Sequence, residues 1–159
     1  MIRFQTEQTI DRPAQEIWTY AADITRHPQW MSVIDARLVS GQATDVGARG
    51  VERTKLGPRT FDVSLVVSKS IPAQRIAWRM DGGSPFIGEV TLDLEPLGAD
   101  RTRAVWSGGI GLTGWWRLIE PLMATEVRAG EAAELRRLKA ALEMAPGSAS
   151  ASTGAPASS

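Results

Sequence analysis

At 159 residues the chain has the size of one domain, and a domain of about 150 residues hides roughly 70% of its unfolded surface. Its 18 basic residues are matched by 18 acidic ones, which removes the clustered positive charge that binding nucleic-acid phosphates relies on. With no cysteine it has no disulfide framework, no thiolate nucleophile and no cysteine-bound zinc.

In chain order, "IRFQTEQTI" alternates with Ile2, Phe4 and Ile10 in phase and predicts a strand. With no long apolar run it is neither a secretory signal nor a membrane span, so a cytoplasmic domain is expected. "DRPAQEIWTYAAD" follows, with Asp11 and Pro13 at a helix start and Ile17, Ala21 and Ile24 at i, i+4 and i+7. That helix must stop near "TRHPQW", because Pro28 disfavours helical geometry at His27.

From Val33 to Ile110 the pattern is that of strands. Ile34, Ala36 and Leu38 alternate with charge in "IDARL"; Phe61, Val63, Leu65 and Val67 share a face in "FDVSLVV"; Ile76, Trp78 and Met80 share one in "RIAWRM". Val90, Leu92 and Leu94 do so in "GEVTLDLEP", and Ala104 and Trp106 in "RTRAVWSG". The turn signals "GPR", "DGGSP" and "LGAD" separate these runs, and clean alternation suits an antiparallel sheet with one wet face. A long helix closes the pattern from about Gly114 to Met144, with Leu135, Leu138 and Leu142 on one side. Pro121 lies near its start, and Gly130 interrupts its middle at about 1 kcal/mol relative to alanine. From Ala145 the sequence "APGSASASTGAPASS" has no charge, aromatic or large aliphatic residue and reads as a disordered tail or flexible linker. The domain is therefore 1–144 and the tail 145–159.

This order, carried by "IDRPAQEIWTYAADITRHPQW", "DVGARG", "PAQRIAWRM", "GEVTLDLEPLGADRTRAVWSG" and "ELRRLKAALE", resembles the START-like ligand-binding superfamily (SRPBCC), in particular its polyketide cyclase/dehydrase type. The resemblance runs from Met1 to Glu143. It implies an α+β helix-grip fold: a curved antiparallel sheet wrapped around a long C-terminal helix, with two short helices after the first strand. It also implies an apolar cavity between sheet and helix that takes a lipid, polyketide, quinone or similar molecule.

The candidate ligand-binding wall is then Trp30, Phe61, Val63, Leu65, Trp78, Met80, Val90, Leu92 and Trp106, with Val127 and Glu131 on the long helix. Six tryptophans against three phenylalanines and one tyrosine suit either a packed core or aromatic cavity walls. Trp18 reads as helix packing, and Trp115 and Trp116 as a gate or as an attachment of the long helix. The glycine-rich "GGIGLTG" reads as a bulge and movable connection, not a phosphate cradle.

His27, the only histidine, reads as a solvated residue of a corner bordering the cavity mouth. As a general base it would need an orienting partner, and as a metal ligand it lacks company. No metal and no cofactor are expected. Glu52, Glu89, Arg128 and Glu131 each either face the cavity or form ordinary surface pairs. No dinucleotide, phosphate-loop, hydrolase or zinc-protease motif is present. Binding of a small hydrophobic ligand leads. The alternatives are a cofactor-independent cyclase/dehydrase-like enzyme and a protein-interaction module that presents the sheet to a partner.

Overall fold

The computed structural model describes residues 1–145, so the expected tail lies outside them beyond Ala145. Seven strands follow one another in antiparallel contact: β1 (Ile2–Ile10), β2 (Asp35–Ser40), β3 (Arg49–Leu56), β4 (Arg59–Ile71), β5 (Arg75–Met80), β6 (Phe86–Gly98) and β7 (Arg101–Leu112). The strand order β1-β7-β6-β5-β4-β3-β2 makes β2 to β7 a meander, with β1 added to the edge of β7. Helix α1 (Ala14–Ala22) and a 3₁₀ turn (Ile24–Gln29) connect β1 to β2, and α2 (Glu120–Met144) follows a second 3₁₀ turn (Gly114–Leu118). This is the expected α+β helix-grip architecture.

The sheet departs from the sequence pattern in two places. Strand β3 was not expected, because Arg49, Glu52, Arg53 and Lys55 mask its period. Its inner positions are Gly50, Glu52, Thr54 and Leu56, and only the last is a large apolar residue. At the free edge, Ile34 and Leu38 are exposed, contrary to the expected inward face of "IDARL".

The long helix divides in two. In its C-terminal half Leu135, Leu138 and Leu142 are fully buried against the core formed with Ile10, Ile17, Ala21 and Ala104. Polar ties hold that half. Lys139 Nζ donates to the Thr9 carbonyl, Arg12 donates to the carbonyls of Glu143 (3.1 Å) and Ala145 (2.8 Å), and Glu143 accepts from the Asp11 amide at 3.0 Å. Between Glu120 and Ala133 no residue is fully buried. Pro121 stands in the first turn of α2, where its missing amide hydrogen is no loss, so it starts this helix without kinking it.

Asp23 shapes the corner after α1. Its carboxylate accepts from the Thr25 amide (3.0 Å) and hydroxyl (2.6 Å), capping the 3₁₀ turn. The turn seats Ile24 against Gly50 of β3. A Cβ at Gly50 would lie 2.8 Å from Ile24 Cδ1 and 3.1 Å from the Arg37 carbonyl. Ile24 is buried and cannot retreat, so Gly50→Ala is expected to lower stability by about 1–3 kcal/mol, read by denaturant unfolding. An unchanged midpoint would mean the corner does not rest on β3.

Candidate functional site

A cavity of about 460 Å³ opens between the sheet and the N-terminal half of α2. Cross-strand register explains its wall. Glu52 pairs with Val63, Leu65 with Met80, Trp78 with Val90, and Leu92 with Trp106, so side chains of five strands stand on one concave face. Helix α2 presents Met123, Glu126, Val127, Gly130, Glu131 and Glu134, a run at i, i+3, i+4, i+7, i+8 and i+11 that keeps to one helical face.

Of the wall residues expected from sequence, Val63, Leu65, Trp78, Met80, Val90, Trp106, Val127 and Glu131 border this space. Trp30, Phe61 and Leu92 do not. Leu92 is in phase but too far along β6, in the core sealed by the α2 leucines. Trp30 is fully buried behind the wall, its ring edge-on to His27 (5.6 Å) and to Trp106 (5.4 Å). Phe61 lies with Phe86 (6.1 Å) and Trp116 (5.6 Å) in an aromatic group at the other end. Trp116 thus attaches the start of the helical segment to the sheet, while Trp115 stacks on it and stays exposed. Trp18 is core packing, as expected, its Nε1 donating to the Arg75 carbonyl at 3.0 Å.

The expectation of a solvated His27 is overturned, because His27 is fully buried. Its Nε2 faces the Ala21 carbonyl at 3.0 Å, which can only accept, so Nε2 carries a hydrogen. Nδ1 then meets the Glu52 carboxyl across one shared hydrogen. The rings of Trp78 (5.1 Å) and Trp30 (5.6 Å) enclose the imidazole edge-on. The corner turns inward because Glu52 supplies a buried partner 25 residues away, which no local pattern could reveal.

The other charged candidates separate by strand phase. Glu89 points outward to Lys69 (3.6 Å), and Arg128 donates to the Arg3 carbonyl at 3.1 Å on the outside of the helix. Glu52 and Glu131 face the cavity. Glu131 Oε2 accepts from Trp106 Nε1 at 2.7 Å, and Glu134, absent from the expected set, accepts from the Ser32 amide at 2.7 Å. The three-residue spacing from Glu131 to Glu134, in phase with Leu135 and Leu138, was the signal available for it.

Burial pushes Glu131 up to about 8, assisted by the charge of Glu134 and opposed by the Trp106 hydrogen bond. Burial also raises Glu134, against the lowering effect of the Ser32 amide. Burial therefore favours the neutral carboxylic acid at Glu131, the form able to donate a hydrogen bond. No group of three or more metal-ligating side chains is arranged to hold an ion among the described residues, and no helix among them is long and apolar enough to cross a membrane.

The model of the family described as polyketide cyclase / dehydrase and lipid transport matches residues 1–143. The chain belongs to that family. Its members' helix-grip fold is seen in solved structures that superpose on it. A START superfamily protein from Mycobacterium smegmatis has a TM-score of 0.75 at 13% identity, over 89% of this chain and 97% of its own. The Zhui aromatase/cyclase from Streptomyces sp. R1128 has a TM-score of 0.70 at 15% identity, over 89% and 93%. A protein from Thermus thermophilus has a TM-score of 0.72 at 17% identity, over 87% and 94%. At these identities the likeness is one of fold. No curated protein matches the sequence. Membership of that family supports a hydrophobic-ligand-binding or cyclase role.

Two outcomes test this site. His27→Ala leaves the Glu52 carboxyl buried without its partner and is expected to cost about 3–5 kcal/mol, where a solvated corner residue would cost under about 0.5 kcal/mol; chemical denaturation separates the two. Glu131 is raised on folding from the ordinary carboxylate range to about 8. Its contribution to stability is present at low pH and is lost as pH rises from about 4.5 to about 8. Glu131→Gln is therefore expected to raise the thermal midpoint relative to the parent at pH 9 more than at pH 5. An equal effect at both would show that Glu131 is not held neutral.

Proposed function

We propose that the cavity binds a small, mostly apolar molecule of the lipid, polyketide or quinone kind, with a carbonyl or hydroxyl oxygen seated at Glu131. The observation that carries this reading is the Glu131 carboxyl, bonded to Trp106 Nε1 at 2.7 Å, on a wall otherwise made by side chains such as Val63, Leu65, Val90 and Val127. A largely apolar wall with a few convergent polar groups suits recognition of such a ligand. The acid supplies a donor, and Glu52 and Glu134 nearby disfavour an anionic ligand.

A second reading is supported by the His27–Glu52 pair, which borders the same cavity. Glu131 in its neutral form can give a proton, while the second Glu52 oxygen can take one as the shared hydrogen passes to His27 Nδ1. In a β-hydroxy ketone the pair would remove a proton from the carbon beside the carbonyl. Glu131 would protonate the departing hydroxyl, leaving an alkene and water. That is cofactor-independent dehydration of the kind a cyclase/dehydrase performs.

Tryptophan emission is the direct test, because Trp78 and Trp106 border the cavity. Saturable quenching by neutral quinones, long-chain alcohols or aromatic polyketides is expected at pH 7, with affinity falling about tenfold or more above pH 8 as Glu131 loses its proton beside Glu134, Glu52, Glu126, His27 and Lys55. Absence of saturable change across the panel would refute the binding reading. Mass loss corresponding to water from a β-hydroxy ketone probe, abolished in Glu131→Gln with binding kept, would establish the enzyme. No such loss would leave binding alone.

A further inference from the structure

Gly130 has no local reason to be a glycine. It lies inside α2 without a positive φ, and glycine weakens a helix interior relative to alanine. A Cβ built there meets nothing within 4 Å. This sets it apart from Gly50, Gly88 and Gly108, where an added Cβ would stand at 2.8, 1.9 and 2.4 Å from its nearest neighbour. Gly130 therefore does not admit a close neighbour of this chain, and helical geometry does not require it.

What it does border is the cavity. It occupies the middle of the cavity face of α2, four residues after Glu126, three after Val127 and four before Glu134. Its neighbour Glu131 is held by the Trp106 indole at 2.7 Å, and the space left by the missing side chain opens on the same cavity. An alanine methyl at this position would meet no atom within 4 Å, and valine or leucine would extend from there.

We propose that Gly130 is the position that sets the size of ligand this cavity accepts. Its bare backbone forms a notch for the ring or chain end of the ligand next to the oxygen seated at Glu131. The inference rests on the cavity-binding reading and adds to it a size limit imposed at one residue. A flat fused-ring ligand uses the notch fully, since it lies against backbone where a Cβ would hold it away. A small ligand does not need the notch.

Isothermal titration calorimetry at pH 7 with 2-naphthol (two rings) and 2-hydroxyanthracene (three rings) tests it on Gly130→Ala, Gly130→Val and Gly130→Leu, with Ala129→Leu on the exposed side of the helix as control. The three-ring probe is expected to lose affinity stepwise, by tenfold or more at leucine, while the two-ring probe changes by less than threefold and the control leaves both unchanged. Gly130→Ala is expected to raise the thermal midpoint, because the helix gains and nothing is crowded. Three-ring binding unchanged in a folded Gly130→Leu would overturn the size limit. A lower midpoint for Gly130→Ala would overturn the open notch itself. If the parent protein binds neither probe nor any of the tryptophan-emission panel, the cavity reading fails and this one with it; parent binding with insensitive variants defeats only this one.

Discussion

The architecture depends on an asymmetry along one helix. Leu135, Leu138 and Leu142 bury the C-terminal half of α2 on the sheet, and the ties to Thr9, Asp11 and Arg12 hold that half at the start of the chain's first connection. Three fully buried leucines are worth on the order of 1.5–3 kcal/mol each. The N-terminal half has no such leucine seam and is held by polar contacts instead: Glu120 accepts from the Leu112 amide at 3.0 Å, Arg128 donates to the Arg3 carbonyl, and Glu131 accepts from the Trp106 indole. The cavity lies where apolar packing of the helix gives way to these polar contacts. A curved sheet cannot follow a straight helix along its whole length.

Into this mostly apolar space, which the exposed Glu126 and Lys55 also border, the fold brings three buried or half-buried carboxyls and an imidazole. Each has a defined partner: Glu52 the His27 ring, Glu131 the Trp106 indole, Glu134 the Ser32 amide. Buried polar groups left without partners cost more than they contribute, so this network keeps the site tolerable while leaving its carboxyls at the cavity wall. Burial, reinforced by the charges of Glu134 and Glu52, drives Glu131 toward its neutral form.

The tryptophans join these parts. Trp30 and Trp78 enclose His27 and Trp106 packs against both, with Trp30 behind the wall and the other two on it. Large aromatic surfaces packed edge to face contribute area and directional contacts, which suits a wall that must stay open without collapsing. Core packing and cavity lining were thus not alternatives: the same indole of Trp106 touches Phe4 and Trp30 on one side and Glu131 on the other.

The sequence by itself determined the sequence-local features: which residues share a strand face, where α1 stops before Pro28, and that Leu135, Leu138 and Leu142 form one stripe. These follow from the periods of 2 and 3.6, because backbone geometry alone sets the direction of each side chain. It also placed Val63, Leu65, Trp78, Val90 and Trp106 on the concave side. Only the tertiary structure decided how far along each strand core gives way to cavity, which removed Leu92 and Phe61 from the wall, since that limit is where a helix distant in sequence lifts away. It likewise buried His27, because its partner Glu52 comes from a strand whose charged residues hid its period. Glu131 joined it at the cavity, while Arg128, three residues before, turned to the Arg3 carbonyl. Charge pairs form between whichever groups the packed elements bring within reach, and no spacing along the chain encodes that distance.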